Sequence, residues 1–168
     1  IKSLRKLVAH LEAEIKRTEQ EINDQVERHP DLKQQSQLLQ SIPGIGKRTA
    51  IKLLAEIENI SRYKSARQVA AYEGLTPRNN RSGTIRGQTR LSKTGNARVR
   101  KALFLPAMVA KQHNPVVRSF CQRLARHGKN KMQLVGAAMR KLIHIAFGVL
   151  KSGKVFDPEH ELLFNSVS

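Results

Sequence analysis

Three observations on the 168-residue chain predict an all-α fold. Apolar residues return at steps of three and four over most of its length, the spacing that lines up one face of an α-helix. Helix boundary signals punctuate the chain: His29-Pro30, Ser65 with Gln68, Asn96, Asn114-Pro115, Asn130 and Gly153. Runs that read as strands are few, with a short hairpin within Thr84 to Leu91 as the main exception.

The first element is a long helix over residues 1–29. Ile1, Leu4, Val8, Leu11, Ile15, Thr18, Ile22 and Gln25 form an a/d seam with Glu, Lys and Arg outside it. That is the pattern of a coiled coil, pairing within the chain or in a homo-oligomer. The seam weakens after Ile15, and His29-Pro30 ends the helix because the residue before proline is driven out of the helical region. A helical domain follows over residues 31–156. A helix from Asp31 to Gln40 leads into Ser41–Lys47, and another runs to Ile57. Ser65 and Gln68 form a capping-box pattern for a short helix ending at Gly74. Residues 76–95 read as a basic, glycine-containing loop. Asn96 caps a helix to Gln112, Asn114-Pro115 opens one to Gly128, and Asn130 starts the last long helix, through Leu150. Residues 157–168 form a loosely held tail.

Charge is concentrated in one segment. The formal net charge is +18, and no Asp or Glu lies between Glu73 and Asp157. Residues 74–156 carry 18 of the 31 Lys and Arg residues, while the remaining 13 are matched by the 13 acids. Such a segment repels itself unless a polyanion offsets it, and nucleic acid is the default polyanion. A single cysteine, Cys121, excludes a disulfide framework and a thiolate zinc site. The six histidines include no pair at metal-ligand spacing, so no metal site is expected in this chain. With no transmembrane run and no secretory signal, the expectation is a cytoplasmic, nucleoid-associated protein with no membrane partner. Ile1 falls within a helical pattern, which predicts a piece of a longer protein.

Two stretches carry the chemistry. Residues 38–57 have the form of a helix–hairpin–helix: Gly44 and Gly46 permit a sharp turn and let backbone N–H groups approach a phosphate, and Lys47 and Arg48 add charge. Such contacts position a duplex without reading it. The stretch is not a nucleotide-binding loop. Ser41 stands at the position of the first required glycine, and Arg48 follows the lysine where Ser or Thr must bind magnesium. The second stretch, Thr76 to Leu103, holds Arg78, Arg81, Arg86, Arg90, Lys93, Arg98, Arg100 and Lys101 around Ser82-Gly83. Planar guanidinium groups suit phosphodiester oxygens. A serine nucleophile needs exposure, positive charge near the developing oxyanions, and a route for its proton. The stretch offers the first two and no carboxylate for the third. On the residues alone, Ser82 is either a nucleophile or a turn residue in a non-catalytic nucleic-acid grip, or in a structural ribonucleoprotein component. Cys121, His127 and His144 read as structural. Tyr63 and Tyr72 suit base stacking, but with aromatics at 4% stacking is not the main binding mode.

Several blocks in order, Ile42-Pro-Gly-Ile-Gly46, "SARQVAAYEGLTPR", "RSGT", "RLSKTGNARVRKAL" and "HNPVVRSF", resemble the insertion-sequence-one-ten family of bacterial transposases, which includes the pilin-gene invertases. The resemblance covers about residues 38–158. It implies a carboxy-terminal transposase domain with a catalytic serine, preceded by the end of a coiled coil. It also implies an amino-terminal RuvC-like domain, outside this chain, whose acidic residues hold divalent metal, expected to be Mg, and recombination guided by a structured RNA. The family serine carries over onto Ser82, with Ser92 in "RLSKTG" as the runner-up. The implied partners are DNA, a guide RNA and further copies of the chain. The chain alone is expected to bind nucleic acid and cleave nothing.

Overall fold

The computed structural model describes residues 1–57, 59–82, 85–92 and 94–159, with the backbone alone for residues 61, 79–82 and 85–90. The chain divides into two compact units, residues 1–34 and 35–168.

The first unit is dominated by α1 (Lys2–Arg28). It ends as the sequence predicts, with His29 in extended backbone ahead of Pro30. Its apolar seam is exposed: Leu4, Leu7, Val8, Leu11, Ile15 and Ile22 all face solvent. Ion pairs such as Arg17–Glu14 and Lys33–Glu27, both 2.7 Å, lie on the surface and contribute little. α2 (Pro30–Gln40) leads from this unit into the second.

In the second unit α2 is followed by α3 (Lys47–Glu56), a 3-10 turn at Ile60–Arg62, α4 (Ala66–Tyr72), strands β1 (Pro77–Ser82) and β2 (Ile85–Leu91), α5 (Ala97–His113), α6 (Pro115–Arg126) and α7 (Lys131–Ser152). The fold is all-α with one added hairpin. α5 packs on α3, α6 and α7, and α7 also packs on α4 and α6. Leu39, Ile42, Leu53, Val69, Leu75, Leu103, Val117, Leu142 and Ile145 are fully buried in one core. Each such side chain contributes about 1.5–3 kcal/mol. α7 has the length and apolarity of a bilayer span. Its stripe Val135, Ala138, Met139, Leu142, Ile143, Ala146 and Val149 is instead the face it buries in this core.

Local signals explain most boundaries. Asn130 caps α7 in a reciprocal box: its Oδ1 accepts from Gln133 N at 2.9 Å, and Gln133 Oε1 accepts from Asn130 N at 3.0 Å. Ser65 caps α4 by accepting from Gln68 N, while the Gln68 side chain reaches Lys64 N instead of closing the box on Ser65. Asn114 is fully buried and does three jobs. Its Oδ1 accepts from Val116 N and Val117 N at 3.1 and 3.2 Å, and its Nδ2 donates to Pro43 O at 3.3 Å. The start of α6 is thereby tied to the turn between α2 and α3. Cys121 is buried, and His127 Nδ1 lies 2.8 Å from Arg123 O at the end of α6, both as structural readings require.

The stretch expected to be a loop is a correction. Residues 77–82 and 85–91 pair as antiparallel strands, beginning well before Thr84, with pairs Pro77↔Leu91, Arg78↔Arg90, Asn79↔Thr89, Arg81↔Arg86 and Ser82↔Ile85 and an irregularity between Asn79 and Arg81. The residues that pair are mostly Arg, Asn, Thr and Gln, so no apolar alternation marks the strands.

Candidate nucleic-acid interface

Both feet of the hairpin are fastened to the helical core. On the entering side Leu75 is fully buried and its N–H donates to Ala70 O at 2.8 Å. On the leaving side Leu91 packs over Gly136 of α7. The two chains meet through Ser92 N–H, which donates to Thr76 O at 2.8 Å. Below that pair they cross at Gly74 and Gly95. Gly95 has φ 129°, and a Cβ there would collide with Tyr72 O; a Cβ on Gly74 would stand 2.6 Å from Thr94 O. The crossing admits no side chain on either strand.

Two acids serve this foot, and sequence spacing gave no sign of either. Asn96 caps α5 by accepting from Arg98 N at 2.9 Å, and its Nδ2 donates to Glu56 Oε2 at 2.6 Å. Arg98 Nη1 lies 3.5 Å from Glu56 Oε1. Glu73 is fully buried, and neither carboxyl oxygen has a hydrogen-bond partner among the described residues. Burial first, then the Glu56 carboxylate, pushes its pKa from 4.5 up to about 7, against the pull of Arg100. Arg100 Nη1 donates to the Glu73 backbone carbonyl at 3.0 Å. On α7, burial and then Arg140, Lys141 and Arg67 push His144 down from 6.5 to about 4.

The sequence-predicted residues separate into three groups. Arg78, Arg81 and Ser82 lie in β1 and Arg86 and Arg90 in β2, with Arg78 opposite Arg90 and Arg81 opposite Arg86. Lys93 lies outside the described residues. Arg98, Arg100 and Lys101 occupy the first turns of α5; Arg98 and Lys101 are exposed, whereas half-buried Arg100 is committed to the foot. The third group surrounds the α2–α3 turn. Gly46 precedes α3 with open space around it, beside exposed Lys47 and Arg48. Gly44 has a packing duty: with φ 106°, a Cβ there would sit 2.9 Å from both Ala110 Cβ and Pro106 O of α5.

Ser82 closes β1 opposite Ile85. Five residue steps of strand lead to it from Pro77, about 17 Å at a rise of about 3.4 Å per residue. No cluster of three or more His, Cys, Asp or Glu side chains exists among the described residues.

Fold and interface define a polycationic helical domain that anchors an arginine-bearing hairpin. The chain belongs to the transposase IS116/IS110/IS902 family, whose sequence profile matches residues 36–122, from α2 into α6 and across the whole hairpin. It is 38% identical over 130 residues to the pilin gene-inverting protein of Moraxella bovis, covering 76% of this chain and 40% of that protein. The pilin gene-inverting protein of Moraxella lacunata gives the same figures, 38% over 130 residues, 76% and 40%. An insertion element IS110 uncharacterized 43.6 kDa protein of Streptomyces coelicolor is 31% identical over 139 residues, covering 83% of this chain and 33% of that protein. The chain thus spans 40% or less of the length of these relatives.

Proposed function

We propose that this chain is the DNA-binding, serine-bearing domain of a transposase or site-specific recombinase, and that Ser82 is its nucleophile. Ser82 Oγ attacks a backbone phosphorus. The Oγ–P bond forms as the bond from phosphorus to the 3′ oxygen breaks. This leaves a phosphoserine ester on the 5′ side and a 3′ hydroxyl once the leaving oxygen takes a proton. Attack of another strand's 3′ hydroxyl on that ester reverses the step and completes exchange. The serine proton passes to a base outside the hairpin. Family resemblance assigns the acidic, divalent-metal half of the chemistry to a RuvC-like domain outside this chain, and guidance to a structured RNA.

Arg78, Arg81, Arg86 and Arg90 stabilise charge on the phosphate oxygens, and Lys93, Arg98 and Lys101 hold the backbone beyond them. Gly46, Lys47 and Arg48 at the open start of α3 offer a separate backbone contact. The exposed seam of α1 joins copies of the chain.

The observation that carries this reading is the register of the hairpin. It puts Ser82 at the end of β1, one pair beyond Arg81↔Arg86, with Arg78↔Arg90 nearer the foot. Like charges directly opposite destabilise a bare hairpin, and a bound phosphate backbone offsets them. The test is a strand-exchange assay on the full-length protein with Ser82→Ala, beside a denaturing gel for a covalent protein–DNA adduct. Exchange and adduct should both vanish. Full activity in that variant removes Ser82 from the mechanism, and loss of binding with Arg86→Glu or Arg98→Glu alone then leaves a non-catalytic grip.

A further inference from the structure

A cleft of about 670 Å³ opens at the hairpin foot, lined by Glu56, Asn59, Tyr63, Tyr72, Gly95 and Asn96 among others. The chain has two tyrosines, and both are here. Their rings meet edge-on, with centroids 6.0 Å apart and planes at 63°. An edge-on neighbour covers at most one face of a ring. Tyr72 is 63% exposed, whereas Phe120, Phe147 and Phe156 pack against the core. An aromatic ring held open beside a cationic hairpin is a stacking platform. Hydrogen-bonding capacity faces the same space. The Glu56 carboxylate takes one bond from Asn96 Nδ2 and has Arg98 at 3.5 Å, and an ionised carboxylate has about four acceptor positions. It can still accept from a base N–H. Thr94 and Gly95, just after β2 in the chain, line the cleft.

We propose that this cleft receives an unpaired nucleobase, stacked on Tyr72 with its hydrogen-bonding edge toward Glu56. The inference rests on nucleic-acid binding as proposed above and adds a site for the base rather than the backbone. DNA and RNA bases share the chemistry, so the test has an arm for each.

The chain is titrated with single-stranded DNA, single-stranded RNA and duplex DNA, as wild type, Tyr72→Ala and Tyr72→Phe. Because Tyr72 is exposed, neither substitution disturbs the core. Tyr72→Ala should weaken single-strand binding by about 5- to 150-fold, the range for one stacked base, and leave duplex binding within about twofold. Tyr72→Phe should bind as wild type does. Single strands carrying 5-iodouracil, irradiated in the complex, should crosslink to Tyr72 by peptide mapping. The arm that shows both effects names the source of the base. Unchanged single-strand binding in Tyr72→Ala, or crosslinks that map only elsewhere, overturns the base site while duplex binding leaves the interface standing. Absence of binding to all three overturns both.

Discussion

Glu73→Gln isolates one buried charge at the hairpin foot. The native carboxyl titrates at about 7 and the ordinary value is 4.5. Between these pH values the folded chain keeps a proton that the unfolded chain has released, so stability falls as pH rises through the window. The full difference of about 2.5 pKa units corresponds to about 3 kcal/mol. The contribution is fully present below 4.5 and lost above 7. Glutamine mimics the protonated carboxyl at every pH. Glu73→Gln should therefore match wild type near pH 4.5 and exceed it by up to about 3 kcal/mol at pH 8. His144 works in the opposite direction. Its folded pKa is about 4 against 6.5, so the unfolded chain takes up its proton first and stability falls as pH drops from 6.5 toward 4. From 4.5 to 6.5 the two slopes cancel, and the wild type owes no net slope to this pair. Glu73→Gln should expose the rising slope of His144, and His144→Gln the falling slope of Glu73. The assay is urea denaturation followed by circular dichroism at half-unit pH steps. A stability difference between Glu73→Gln and wild type that stays constant from pH 4.5 to 8 refutes the assignment of a raised carboxyl.

Three further outcomes are expected. Gly95→Ala forces a side chain into Tyr72 O at a left-handed φ; it should cost about 1–3 kcal/mol in denaturation and weaken nucleic-acid binding in gel shifts. Asn114→Ala strands two buried N–H groups and frees Pro43 O; a loss of about 2 kcal/mol should lower Tm by about 4–8 °C in calorimetry. Leu11→Glu with Ile15→Glu on the exposed seam of α1 should turn oligomers into monomers in light scattering, with the helical content of residues 35–159 unchanged.

Helix boundaries were legible because each is set by a residue or two acting locally. Pro30 ends α1, Asn114-Pro115 opens α6, and Asn130 with Gln133 opens α7. The hairpin was mostly hidden because its strands, PRNNRS and IRGQTRL, carry no apolar alternation in sequence, and backbone pairing leaves little trace in composition. The acids at the foot were hidden for a different reason. Glu56 meets Asn96 across 40 positions and Glu73 meets Arg100 across 27. A scan of the basic segment for carboxylates therefore finds none. Gly44, read as permitting the sharp turn, has the positive φ such a turn needs and also packs closely against α5. Pro106 within α5 went unread because a buried proline inside a helix is rare enough that local rules exclude it.

The placement of charge separates folding from function within the segment free of acids. At the foot, Arg100 holds the Glu73 carbonyl, and exposed Arg98 lies 3.5 Å from Glu56. Along the strands the register instead sets arginine opposite arginine twice. Each such pair costs a few tenths of a kcal/mol to about 1 kcal/mol. The fully buried aliphatic side chains of the core, at about 1.5–3 kcal/mol each, outweigh that cost. The repulsion falls on an element whose foot is held where Leu75 is buried and Leu91 packs over Gly136. A phosphate backbone would relieve the repulsion of Arg81↔Arg86, the pair beside Ser82, the residue proposed above as nucleophile.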